Sequence, residues 1–502
     1  MPVIKLAIKE LQNAKFYTIF LVSVMFVAIF SLSPVISSLM NNVIIRSSGR
    51  IATIAPVAYK SEIRGVFVHC ATFSAYPTYP DWDLIAQTCK DYGINAIYGE
   101  FLSSQGGYYD SELFETHYGN QLGMAIDACH SRGIEVHVSM DVVYPPVEDQ
   151  YKAVHSDGSL ASWGCPIRLR PWLKLLVEEL VTKYDIDGFM FDYTRFDTTD
   201  MCYCDQCKAA FEEWLGETIT DWTPFYPGGS RNLEFLEWRN IPITELVRDM
   251  RNWMSAIKPD LEFSSAAWTC FEDYPIYWIK YLGQDTGDWI RRGYLDMVSP
   301  MVYTTDLAAI EGDVTTDFKY WSGPEGKIPL AVLVTNTLGE PAPTPEEFKA
   351  VVDKVRSLGA DGWIIWRYGG PGASPDVAPD IRDYLSIIDM PPVFTLENIE
   401  VSPSATEATI TWTTDLPATS KVEYNTSSLF IANFYPGWRG DEISYWDIDH
   451  VPGTVVEDNT TVTSHSITLT DLLPETKYYF RVQSRDPSGI ATSKVLTFMT
   501  ES

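Results

Sequence analysis

From Arg64 to Arg367 short apolar runs alternate with longer segments whose apolar positions recur three and four residues apart, the pattern of strand followed by amphipathic helix. Eight such runs are found, at 65–70, 96–101, 135–141, 188–192, 262–267, 297–303, 329–335 and 362–367. The segments between them predict helices over 82–92, 122–131, 172–184, 238–257 and 346–358, the first and last opening behind Asp81 and Thr344 as N-caps. Gly93, Gly133 and Gly359 stand where a helix must stop before the next strand. Eight repeats of this kind predict an α/β fold, a (β/α)8 TIM barrel over residues 63–390. Beyond Met390-Pro391-Pro392 the period shortens to alternating strands at 408–412, 420–424, 464–469, 477–484 and 493–499, which predicts an all-β immunoglobulin-like sandwich over 393–502.

The 502 residues, 46% of them hydrophobic and 13% aromatic, supply enough apolar material for both domains. A net charge of −30 argues against nucleic acid and anionic lipid as partners and favours a neutral or cationic ligand. No charged residue occurs from Phe16 to Met40, and Lys5, Lys9 and Lys15 precede this stretch. The pattern predicts a cytoplasmic N-terminus at 1–15, a transmembrane signal anchor at 16–40 and a linker at 41–62, with the bulk on the extracellular side; a cleaved signal peptide and secretion is the alternative. The sequons at Asn425 and Asn459 agree with export.

A strand of a parallel barrel delivers its last residues to the C-terminal mouth, where catalysis sits. Asp192, closing the run Phe189-Met190-Phe191-Asp192, is the leading catalytic candidate, and Glu100, Asp141 and Asp306 are candidates for the second carboxylate that glycosidic bond cleavage needs. Arg195, His69, Trp268, Tyr303, Asn336, Trp366 and Arg367 fall at or just beyond strand ends and would line the same opening, with Trp268 and Trp366 as platforms for a sugar ring. A one-residue slip of register would turn each strand-end residue away from it. His137 lies mid-strand and reads as an interior residue.

Cys202, Cys204 and Cys207 follow a Cys-x-Cys-x-x-Cys spacing, and Cys165 lies just before the helix that leads into the fourth strand. Four thiolates close a tetrahedral shell and leave no open position, so the expectation is a structural Zn2+ and no organic cofactor, with disulfides or free thiols as the alternative. No His pair at ligand spacing lies near a strand end, which disfavours metal-dependent hydrolysis.

Taken together, Arg64-Gly65-Val66-Phe67, Cys165-Pro166, the block from Tyr184 to Arg195, the cysteine triplet with Phe211, and Ser299-Pro300-Met301-Val302-Tyr303 resemble the glycoside-hydrolase-like barrel families. The cysteine pattern is similar to the zinc site of family 42 β-galactosidases, which supports Cys165, Cys202, Cys204 and Cys207 as ligands. Those enzymes carry an Asn-Glu pair after the fourth strand where this chain has Asp192-Tyr193, an arrangement closer to α-glycosidase barrels that use a strand-four Asp as nucleophile and, in some clans, a strand-six Asp as acid/base. That resemblance adds weight to Asp192 and Asp306. Trp412, Leu473-Pro474-Glu475-Thr476 and Tyr478 resemble a fibronectin type III domain, in which a tyrosine bonds back to the backbone.

The expectation is therefore an exported, membrane-tethered glycosidase acting on an oligo- or polysaccharide, with Asp192 attacking the anomeric carbon and the configuration retained. A non-catalytic glycan-binding or cell-surface adhesion protein is the alternative.

Overall fold

The computed structural model describes residues 52–53, 59–70, 80–103, 106–114, 119–145, 147–268, 281–320, 328–337, 342–370, 378–435 and 445–502. Eight parallel strands form the barrel: β1 Ile63–His69, β2 Ala96–Ser103, β3 Glu135–Asp141, β4 Gly188–Asp192, β5 Glu262–Trp268, β6 Met297–Met301, β7 Ala331–Thr335 and β8 Gly362–Trp366. They pair in chain order, and β1 pairs with both β2 and β8, so the sheet closes and has no free edge. Gly93, Gly133 and Gly359 all take positive φ, between 69° and 87°, at the turns where the sequence placed them. Asp81 accepts a hydrogen bond from Leu84 N at 3.1 Å, and Thr344 forms a reciprocal capping box with Glu347.

The period-two alternation divides each strand between two apolar sets. Phe67, Tyr98, Met190, Ala266, Leu333 and Ile364 form one compact cluster inside the barrel. Their neighbours Val66, Ile97, Val138, Phe189, Val332 and Ile365 belong to the larger core packed against the helices. His137 is an interior residue as expected, stacked on Tyr98 at 4.7 Å with its Nε2 3.2 Å from Glu135 Oε2.

The C-terminal domain is an antiparallel β structure built on Thr395–Pro403, Ala408–Asn425, Thr454–Leu469, Lys477–Asp486, Gly489–Thr492 and Leu496–Met499. The two separate strands expected at 408–412 and 420–424 run on as one, its register with Thr454–Leu469 shifting between Thr413 and Ala418. Part of the segment read as a linker has a structural role: Ala52–Thr53 and Tyr59–Lys60 pair with Thr395–Pro403, so chain from before the barrel enters the C-terminal sheet. Tyr478 Oη accepts from Leu473 N at 2.9 Å, the backward bond looked for at that corner.

Arg481 is fully buried and paired with Glu423 at 2.7 Å. Glu423 also accepts from Gly453 N at 2.9 Å and lies 3.0 Å from His450 Nε2. Glu423→Gln would leave a buried guanidinium short of its carboxylate, and we expect a loss of about 3–5 kcal/mol. Denaturant unfolding of the full chain, followed by a C-terminal-domain signal, measures it; a loss below about 1 kcal/mol, the range of an exposed pair, would contradict the assignment.

The membrane expectation is corrected. Among the described residues no helix is long and apolar enough to cross a membrane. The long helices Pro166–Lys183 and Asn240–Ile257 carry charges along their length and bury one apolar face against the barrel, which is the behaviour of a barrel's outer ring. Residues 1–15 and 16–40, on which the single-pass anchor, the membrane partner and the extracellular location rested, lie outside the described residues.

Candidate active site and cysteine cluster

Alternation along the strands carries the strand-end candidates into the mouth. His69 is two residues beyond the inward Phe67, Glu100 two beyond Tyr98, Asp192 two beyond Met190, Trp268 two beyond Ala266 and Trp366 two beyond Ile364. Tyr303 and Trp366 pack directly on the interior cluster. Asp141 is the cross-strand partner of Asp192, and Glu100 that of His69.

The charges converge on Asp192. Its Oδ1 accepts from Tyr193 N at 2.7 Å, and Tyr193 adopts a left-handed conformation at φ 44°, a sharp turn directly after the strand. Burial, reinforced by the nearby Glu100 charge, pushes the Asp192 carboxyl up to about 6 against the opposing pull of the Tyr193 amide, Arg195 and His69. Glu100 is itself buried, and His69 Nε2 lies 3.0 Å from its Oε2. Burial and the neighbouring Asp192 push the Tyr303 phenol up, so it stays a hydrogen-bond donor. Trp366 packs beside Phe67 at 4.5 Å and both His69 and Tyr303 at 6.3 Å, with the Arg367 guanidinium 5.8 Å from its ring.

Two candidates have other duties. Asp306 is exposed, and its Oδ1 accepts from Ala308 N at 2.9 Å and Ala309 N at 3.3 Å, capping the helix Leu307–Tyr320. Asn336 is fully buried, and its Oδ1 accepts from Arg367 N at 2.8 Å, fixing the backbone beyond β8.

Aromatic residues that strand-end reasoning passed over build the other side of the mouth. Tyr144 stacks on Trp163 at 4.9 Å, and Tyr193 lies 5.5 Å from Trp163. Tyr144 and Trp163 belong to the excursion between β3 and the next helix, so a search confined to strand ends could not reach them. The Arg195 guanidinium sits over the rings of Trp163, Tyr193 and Trp268 at 5.1, 5.2 and 5.6 Å.

Cys165, Cys202, Cys204 and Cys207 are brought together as their spacing implied. All four are buried, and their Sγ atoms lie within 4.8 Å of one another, with Cys165 Sγ 3.4 Å from Cys207 Sγ and 3.7 Å from Cys204 Sγ. An ion with sulfur ligands at about 2.3 Å sets the tetrahedron's edges at about 3.8 Å, so the four atoms need little movement to hold a metal ion. Cys165 and Cys204 sit at the N-caps of the helices Pro166–Lys183 and Asp205–Leu215, whose free amide ends favour thiolates. Arg239, fully buried, donates to the carbonyls of Thr198, Met201 and Tyr281 and places a positive charge near Cys202 and Cys207. All seven described cysteines are free thiols, so disulfides do not account for the grouping.

Residues 162–340 match the family model described as Glycosyl hydrolase-like 10, and residues 396–500 match the N-terminal domain of purple acid phosphatase. Over 152 residues the chain is 24% identical to the glycosyl hydrolase DigH of Escherichia coli, a stretch covering 28% of this chain and 30% of that one. An S-layer-related protein of Niallia circulans is 24% identical over 213 residues, 35% of this chain and 13% of its own length. The matches thus span under a third of the length of these curated relatives. The fold superposes on the PgaB glycoside hydrolase domain of Bordetella bronchiseptica with a TM-score of 0.50 at 13% identity, covering 61% of this chain and 94% of that one. The barrel thus has the fold of the glycoside hydrolase domain it superposes on and is similar over 162–340 to the glycosyl hydrolase-like family, and the antiparallel β domain that follows is similar over 396–500 to the N-terminal domain of purple acid phosphatase.

Proposed function

We propose that the protein is a retaining glycosidase in which Asp192 and Glu100 are the catalytic carboxyls. The observation that carries this reading is the raised Asp192 carboxyl at the barrel mouth, beside a second buried carboxylate. A group held near 6 is suited to carry the proton to the leaving oxygen, and Glu100, 3.0 Å from His69 Nε2, is assigned the attack on the anomeric carbon. The roles are therefore exchanged relative to the sequence reading, which gave the attack to Asp192. Retention is the outcome expected of this pair when the two carboxyls stand about 5–5.5 Å apart, the spacing double displacement needs. Asp141, next to Asp192 in the sheet, is assigned to substrate hydroxyls together with Tyr303, and Trp366 and Trp268 to the sugar faces. The substrate is an oligo- or polysaccharide.

The test follows hydrolysis of an oligosaccharide panel by NMR, reading the anomer first released. Retention is expected; first release of the opposite anomer would require a water between the carboxyls and would overturn the double displacement. The pH dependence has a definite sign. Asp192 must be protonated, so kcat/KM should fall about tenfold per pH unit above about 6, and a limb that instead rises through that region would contradict the role.

The cysteine cluster is proposed to hold a structural Zn2+ that pins the excursion after β4 to the helix that precedes it. The C-terminal domain is proposed to be fibronectin type III-like, supported by the Tyr478 bond to Leu473 N.

A further inference from the structure

We infer that Arg195 binds an oxyanion, a carboxylate or sulfate, carried by the glycan, an inference that rests on the glycosidase reading and extends it to the class of substrate. Three elements converge on this side chain: Trp163 from the excursion after β3, Tyr193 from the turn after β4, and Trp268 from the end of β5. Their rings fix the guanidinium without using its N–H groups. The protein acceptor recorded for it is its neighbour's carbonyl, with Nη1 donating to Phe196 O at 3.4 Å, at the long end of a hydrogen bond. Asp192, Asp197 and Asp141 lie near enough to act on its charge, yet among the described residues no carboxylate oxygen comes within 4.0 Å of it. The ion pair with Asp192 that would have given Arg195 a purely structural duty is absent.

A bound sugar would remove water from this group. Stripping solvent from a cation most of whose donors have no protein acceptor is costly, and contact with ring faces offsets only part of that cost. A neutral hydroxyl accepts one donor weakly, whereas an oxyanion accepts two in the planar geometry the fork already holds. The chain's net charge of −30 does not forbid this, because charges beyond about 8 Å are screened at physiological salt and the contacting group decides.

The experiment compares kcat/KM of the full chain on uronic-acid oligosaccharides and their carboxyl-reduced counterparts, and on sulfated and desulfated pairs. The quantity read is the ratio of acidic to neutral substrate. Wild type should prefer one acidic series by about 10-fold to 100-fold, the range of a charge-assisted hydrogen bond. Arg195→Gln should bring the ratio toward unity, and Arg195→Lys, which keeps the charge and loses the fork, should restore part of it. A wild-type ratio at or below one, or a ratio that Arg195→Gln leaves unchanged, overturns the inference. If no member of the panel is hydrolysed, the glycosidase reading fails, and the affinity ratio for the same pairs, measured by calorimetry under the same criteria, decides the role of Arg195.

Discussion

Asp192→Asn is expected to lower kcat by about 10²–10⁴-fold with a much smaller change in KM, the loss that follows removal of a positioned proton donor. The amide fits the same space and can still accept from Tyr193 N, so the turn after β4 should persist. What disappears is the exchangeable proton, which burial and the Glu100 charge hold at this site up to about pH 6. A leaving group that needs no protonation, such as a nitrophenolate, should recover part of the rate in the variant, because its departure does not wait for Asp192. Equal losses on activated and ordinary substrates would point instead to a structural role. Glu100→Gln should remove turnover on both, since no acid assistance replaces a missing nucleophile.

Loss of the proposed ion from the cysteine cluster is expected to lower the Tm of the barrel by roughly 6 °C, from a stability loss of order 4 kcal/mol. The four Sγ atoms stand within 4.8 Å of one another in a buried pocket. Without a cation that crowding of thiols gains nothing; with one, it ties the start of Pro166–Lys183 to the start of Asp205–Leu215 across β4. Cys204→Ser should lose bound zinc and stability together, measured by elemental analysis and thermal unfolding of the same sample. Chelator treatment of wild type should reproduce the shift, and added Zn2+ should reverse it in wild type but not in the variant. A wild type that purifies with no metal and is fully stable would contradict the zinc assignment. Activity remaining in the metal-depleted barrel below its lowered Tm would agree with a structural ion.

The barrel was legible because its signal is local. Each strand is a short buried run, and several of the turns carry a glycine at positive φ, so positions such as 188–192 and Gly359 could be read without knowing what packs on them. The mouth was legible in part for the same reason, since an inward Phe67 or Tyr98 places His69 or Glu100 two residues on. Other features depend on chain segments far apart in sequence. The His69 contact with Glu100 arises between strands, and the Trp163–Tyr193–Trp268 box is assembled from three loops and strand ends. Asp306 showed the ambiguity of a position just past a strand, where the same residue type serves catalysis or caps a helix. The strands Ala52–Thr53 and Tyr59–Lys60 are too short to display alternation, so their pairing with Thr395–Pro403 left no mark in the sequence. The apolar stretch from Phe16 to Met40 was read by composition alone.

Release of reducing ends from the oligosaccharide panel, followed across pH 4 to 9 with wild type and Asp192→Asn side by side, tests the paired-carboxyl site most directly. The account predicts release by wild type that declines above about pH 6 and release by the variant that is lower by orders of magnitude with that limb removed. Equal release by the two proteins, or none by wild type at any pH, would contradict it.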